Sequence, residues 1–296
     1  MRALAAPLAF ACLATGSSAG SPARPLRIGV TLNPYYSWVA NVGGSAVTVV
    51  PVVPAGADPH SYQPRPEDLV ALASLDAVVA NGLGHDAFLE PMLKAAGREG
   101  LRRLDPNRGV PLLPGASGGA NSHSFLSVLA ASQQIRTLAK ELSGLDPEDA
   151  SLFEENARAY TKRLRHLLAE ALARLAGLDL SSVRIATVHD GYAYLFSDLG
   201  LTVQAVVQPR HGLEPSAQQL ADTIARIRAA RVNVLFTEMG LDRRYVDTIE
   251  TETGCRIFRL THMAGGEDSK DRFERDTKAN LEAIVAGVAA VAGRRP

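Results

Sequence analysis

DPEDASLFEENARAYTKRLRHLLAEALARLAG, residues 146–177, is the longest unbroken helical pattern in the chain, and it divides the sequence in two. Phe153, Ala157, Tyr160, Leu164, Leu167, Leu168, Ala171 and Leu175 recur three or four positions apart, so they form one apolar face. Asp146 offers a cap and Pro147 suits the first helical position. Glu148 and Asp149 put negative charge at the positive end of the helix dipole, and Gly177 is a stop. A helix of that length is a rod of roughly 45 Å at about 1.5 Å per residue. Such a rod joins two lobes while resisting large hinge motion.

Short β-branched runs alternate with helical patterns on either side of it, which predicts parallel α/β units rather than a sandwich. The expected strands are Leu26–Thr31, Val47–Val53 and Asp76–Ala80 before the helix, then Val183–Val188, Thr202–Val207, Val232–Thr237 and Arg256–Leu260 after it. Residues 104–122 are rich in Gly and Pro and read as a surface loop. The expected fold class is α/β, with two lobes of parallel sheet flanked by helices and bridged by one long rigid helix. The boundaries are an N-terminal lobe over 26–145, a linking helix over 146–178 and a C-terminal lobe over 179–296.

The opening stretch MRALAAPLAFACLATGSSAG has a positive charge at Arg2, an apolar run from Leu4 to Leu13, and small residues Ser17 and Ala19 before Gly20. This is the pattern of a cleavable signal peptide over residues 1–19, and it implies an exported protein in the periplasm or another extracytoplasmic space. Cys12 is a second reading, as a lipid attachment site, although the apolar run before it is short. No later run reaches the roughly 18 apolar residues of a membrane-spanning helix. Cleavage leaves Cys255 as the one cysteine, so no intramolecular disulfide is expected. Lys and Arg number 31 against 31 Asp and Glu, with no basic tract, which argues against nucleic acid or an anionic membrane surface as partner.

The chemistry lies in the histidines. His60, in ADPHSYQPRPEDL (57–69), is presented by a turn after a strand, and its bland alternative is a helix cap. His189 follows a strand directly and leads into Asp190-Gly191-Tyr192, which puts it at the carboxyl edge where open α/β sheets bind ligands. His262 follows the strand ending at Leu260, with Thr261 as the alternative residue facing the site. His123, in NSHSFLSVLAASQQI, carries a weak local signal, that of a polar residue in a first helical turn. His85 and His166 read as helix-start and solvent-face residues, and His211 either lines the mouth of a cleft or sits in a loop. Imidazoles gathered from such distant segments point to a metal held between lobes, and neutral imidazole suits borderline-soft divalent ions.

Seven stretches carry a resemblance to a known family: NVGGSAVTVVPVVPAGADPHSYQPRPEDL (41–69), LDAVVANGLG (75–84), LDPEDASLFEENARAYTKRLRHL (145–167), HDGYAYLFSDLGL (189–201), LEPSAQQLADTIARIR (213–228), TGCRIFRLTHMAGG (253–266) and FERDTKANLEAI (273–284). In these the chain resembles the zinc and manganese substrate-binding proteins of bacterial ABC importers. The resemblance implies a metal held in the cleft by His60, His123 and His189, with histidine at the third position marking the zinc type. It further implies Zn2+ as a transported ligand, a membrane ABC permease as partner, a monomer, and no catalysis. The family's fourth ligand is commonly an aspartate, where this chain offers His262, leaving Glu238 or water as alternatives. Asn121-Ser122-His123 also departs from the family's usual Asp-Pro-His at the second ligand, and no histidine-rich loop intervenes.

Two rival readings belong to other classes. An exported zinc hydrolase would use Glu238 or Glu214 on a metal-bound water, yet the chain has neither an HExxH run nor a Gly-x-Ser-x-Gly elbow. A surface adhesin sharing the fold would require retention through Cys12. Four imidazoles around one ion leave no open position for a water, which favours capture over catalysis.

Overall fold

The computed structural model describes residues 24–54, 57, 62–115, 118–207, 216–239, 242–263 and 266–294. The signal-peptide reading at 1–19 with Cys12, and His60, His211 and Glu214, lie outside the described residues, as does Asp58, which with Asp190 is a candidate to orient a ligand imidazole.

The first half runs β1 (Leu26–Val30), α1 (Asn33–Gly43), β2 (Val47–Pro51), α2 (Asp68–Ala73), β3 (Ala77–Val79), α3 (Leu89–Ala95), β4 (Arg102–Leu104) and α4 (Val128–Leu145). Its four strands form a parallel sheet in the order β2-β1-β3-β4. The long helix α5 (Ala150–Ala176) follows, then β5 (Leu178–Asp179), β6 (Ile185–Thr187), α6 (Ala193–Asp198), β7 (Val203–Val206), α7 (Ala217–Ala229), β8 (Val234–Glu238), α8 (Arg243–Thr253), β9 (Arg256–Leu260), α9 (Arg272–Ala289) and β10 (Gly293–Arg294). The second parallel sheet has the order β7-β6-β8-β9, which repeats the topology of the first. In each sheet the order reverses beside the first strand, and the crevice outside the carboxyl ends at such a switch point is where α/β sheets take ligands. The expected two-sheet α/β architecture with one long helix is therefore observed.

At 27 residues α5 is about 40 Å long. Phe153, Ala157, Tyr160, Leu164, Leu168, Ala171 and Leu175 form its buried face. Five helices, α1, α4, α5, α6 and α9, share one apolar cluster with both sheets, so the halves are joined by a continuous core as well as by α5. Trp38 on α1 meets Phe273 on α9 edge-to-face at 5.1 Å, and both are fully buried. Ser37 and Asn41 of α1 donate to the carbonyls of Ser269 and Lys270, each at 2.7 Å. Asp198, at the end of α6, accepts from the Ser127 hydroxyl at 2.8 Å and from the Leu129 N–H at 3.2 Å, so a second-half carboxylate caps the first-half helix α4.

Two local expectations differ. Asp146 to Asp149 forms the link between α4 and α5 rather than the first turn of α5. The Asp146 N–H bonds the Leu142 carbonyl at 2.9 Å to close α4, and its side chain accepts from the Glu148 N–H at 3.2 Å. Strand β4 falls at the edge of the segment read as loop, because three residues with two exposed arginines carry no alternation to read. Among the described residues no helix is long and apolar enough to cross a membrane.

Candidate metal centre

Three histidines converge from three segments. His189 lies two residues beyond β6 and His262 two beyond β9, both at the carboxyl edge of the second sheet, while His123 comes from the first half just ahead of α4. One ligand nitrogen from each can be chosen so that all three lie within 4.8 Å of one another. Ring centroids are 4.6 Å apart for His123 and His189, 5.2 Å for His123 and His262, and 5.3 Å for His189 and His262. Each side chain is less than a tenth exposed. The aromatic walls are Phe125, 5.8 Å from His123, and Tyr192, 6.2 Å from His262, both fully buried.

Local hydrogen bonds aim these rings. Asn121 accepts from the His123 N–H at 3.0 Å and contacts His123 Nδ1 at 2.9 Å, while its amide donates to the Asp190 carbonyl at 3.0 Å. With Nδ1 carrying the proton, Nε2 of His123 is left as the lone-pair donor. Tyr194 holds the same loop, its hydroxyl donating to the Asn121 carbonyl at 2.9 Å and accepting from the Leu113 N–H at 2.8 Å. His189 Nδ1 stands 2.9 Å from Asp190 Oδ1 and 3.3 Å from the Gly191 nitrogen. A lone pair facing a carboxylate would be repelled, so the shorter contact is Nδ1–H donating to Asp190, and Nε2 is again the nitrogen left with a lone pair.

His262 is placed by a clamp from α9. The Asn280 side chain accepts from the Thr261 N–H at 2.8 Å and donates to the Thr261 carbonyl at 2.9 Å. The Thr261 hydroxyl then accepts from the Met263 N–H at 3.1 Å, and Met263 adopts φ +64°, the left-handed region that a methionine rarely takes. Thr261 is thus the turn residue, and His262 is the one that joins the cluster.

Glu238 ends β8 but is not part of the cluster. Its charge acts on Tyr192, whose phenol is held well above its ordinary pKa, first by burial and then by that carboxylate. His166 is exposed and contacts Glu170 at 3.2 Å, as its solvent-face reading expects. His85 departs from the same reading. It is 6% exposed and packs edge-on to His123 at 5.6 Å and to Phe125 at 5.9 Å. The turn before it carries three consecutive positive φ angles, at Gly82, Leu83 and Gly84. The turn is pinned by Asp86, which accepts from Thr31, Asn81 and Gly82 and whose carboxyl is pushed up by burial. The three φ values cannot be read from residue types when one of the three is a leucine.

The description "Zinc-uptake complex component A periplasmic" matches residues 28–287. The chain belongs to that family. It is therefore a metal-binding substrate-binding protein of the ABC-importer type. Among solved structures it is similar to the substrate-binding protein FpvC of Pseudomonas aeruginosa in complex with Mn2+, at 45% identity and TM-score 0.84, covering 90% of this chain and 99% of that one. It is also similar to the crystal structure of ZnuA, at 29% identity and TM-score 0.75, covering 89% and 99%. The manganese ABC transporter substrate-binding lipoprotein PsaA of Streptococcus pneumoniae is 25% identical over 300 residues, with 97% of each chain covered.

Asn121, Gly191 and Asn280 support the centre, and sequence reading passed over them in that role. Asn121 had a usable signal, standing two residues before His123 where the resembled family has the Asp of Asp-Pro-His.

Proposed function

We propose that this protein captures a divalent metal ion, Zn2+ above the others, on the extracytoplasmic side and delivers it to a membrane ABC permease. His60, His123, His189 and His262 are its ligands, it works as a monomer after removal of residues 1–19, and it does no catalysis. The observation that carries this reading is the convergence of His123, His189 and His262, all buried, within 4.8 Å at their ligand atoms. An imidazole-rich donor set with no carboxylate among its described members favours borderline ions such as Zn2+ over the harder Mn2+. Two of these rings present Nε2 because Asn121 and Asp190 occupy Nδ1, the arrangement in which a metal-binding imidazole is oriented and made more basic.

Metal content by elemental analysis of the untagged, exported protein tests the reading, beside His189→Ala and His262→Ala variants. About one zinc per wild-type chain, lost in both variants, is expected for closed tetrahedral coordination. Zinc retained in His262→Ala moves the fourth position to Glu238 or water, and no metal in the wild type with no uptake on titration overturns metal capture.

A second reading, Mn2+, Ni2+ or Fe2+ as cargo, has support from the relatives, since FpvC is described in complexes with Mn2+ and with Ni2+, and the iron ABC transporter substrate-binding lipoprotein MtsA of Streptococcus pyogenes is 24% identical over 294 residues. Competition of Zn2+ against each ion at equilibrium separates the two readings. A preference for Mn2+ over Zn2+ would run against the order expected of nitrogen ligands and would overturn the zinc reading.

A further inference from the structure

Charge balances over the whole chain, at 31 basic and 31 acidic residues, but the fold gathers cations on one face. Arg136 and Lys140 of α4 and Arg158, Lys162 and Arg165 of α5 line a groove of about 600 Å³ between the two helices, with Glu154 as the one acid. Along α5 the cations stand at i, i+4 and i+7, and along α4 at i and i+4, so each set shares a helix face. Like charges so placed disfavour the helices that carry them.

Three cations near these helices are matched by acids. Arg102 and Arg108 converge on the buried Glu141 of α4 at 3.1 and 2.8 Å, and Arg163 of α5 pairs with Glu274 at 3.0 Å. The five groove cations form no side-chain hydrogen bond or ion pair among the described residues. Beneath them the groove floor is small and buried, made by Ala139, Ala157 and Thr161.

We propose that this groove docks an acidic segment of a partner protein, with carboxylates at helical spacing. The cations of α5 extend over seven residues, about 10 Å of helix axis at 1.5 Å per residue, which matches Glu or Asp at i, i+4 and i+7 of a third helix. The small floor leaves room for the apolar side of that segment, as ridges of one helix enter the groove of a pair. A planar anionic bilayer meets the tips of the side chains but not the floor. The groove shares no residue with the candidate metal centre, so this inference stands apart from the metal reading.

The test uses the full mature chain and a fluorescein-labelled, alanine-rich peptide with Glu at i, i+4 and i+7, followed by anisotropy. Saturable binding is expected. It should weaken at least tenfold in Arg158→Glu/Lys162→Glu, and also on raising salt from about 0.1 M to 1 M, where the screening length falls from about 10 Å to 3 Å. Arg243→Glu/Arg244→Glu, which alters exposed cations on α8, should bind as the wild type does. The milder Arg158→Gln/Lys162→Gln pair serves if the reversal misfolds by circular dichroism. Absence of saturable binding, equal loss in the α8 variant, or sedimentation with phosphatidylglycerol vesicles without peptide binding would each overturn the proposal.

Discussion

A β-carbon on Gly191 would stand 2.9 Å from Cγ of His123, so the backbone of the second half lies directly against an imidazole of the first. That contact joins the two halves at the candidate centre, and glycine is required by space rather than by its own dihedral angles. Gly191→Ala is expected to displace His123, lowering Zn2+ affinity at least tenfold. Overpacking there should cost about 1–3 kcal/mol in the metal-free protein. Calorimetric titration and urea unfolding in chelator measure the two effects, and an unchanged affinity would mean that His123 has slack.

Asn121 holds His123 and Asp190 together through three hydrogen bonds. Asn121→Ala should lower metal affinity about 10–100-fold, the usual effect of removing a group that orients a metal-binding histidine. Asn121→Asp keeps the acceptor for Nδ1–H and should retain most of the affinity. Equal losses in the two variants would assign the effect to the amide that donates to Asp190.

Asn280 clamps both backbone groups of Thr261 and so sets the turn that carries His262. Asn280→Ala leaves those groups without this partner, and a loss of about 2 kcal/mol is expected from the exposed desolvation cost. Metal affinity should fall with it. Stability lost while Zn2+ affinity stays intact would show that the turn is held by Met263 packing instead.

Asp76, just ahead of β3, is a carboxyl whose charged form the fold favours. The Arg24 guanidinium, at 2.7 and 2.9 Å, holds its carboxyl below the ordinary carboxylate range, helped by the Arg27 N–H at 2.8 Å. A carboxyl lowered in the folded state stabilises above its unfolded pKa, about 3.9 for Asp, and that contribution disappears as pH falls through the lowered folded value. Asp76→Asn should therefore be less stable than wild type at pH 7 by about 1 kcal/mol, because Arg24 is largely exposed. The gap should close below about pH 4. A gap that persists unchanged to pH 2 would assign the loss to packing.

Much of the architecture was legible because it is written in local periodicity. The α5 stripe from Phe153 to Leu175 and the short strands β1, β6 and β9 repeat at the spacings their environments demand. His189 and His262 were legible for the same reason, since a residue just past a parallel strand lies at the edge of the sheet. Three features were not. The start of α5 moved to Ala150 because Asp146 is used to end α4. His85 looked like a polar helix-start residue, but a turn of three positive φ angles carries it inward against His123 and Phe125. The cationic groove could not be seen in a balanced composition, because it forms only when α4 and α5 lie side by side.

By itself the sequence determined the order of strands and helices, the division by one long helix and the residue types able to bind a metal, since each follows from short-range spacing and side-chain chemistry. Tertiary structure alone decided that His123 meets His189 and His262, that Gly191 presses against that ring, and that five cations share one groove. Those contacts join residues tens of positions apart in sequence, or on separate helices, and they exist only once a common core has fixed the distance between the segments.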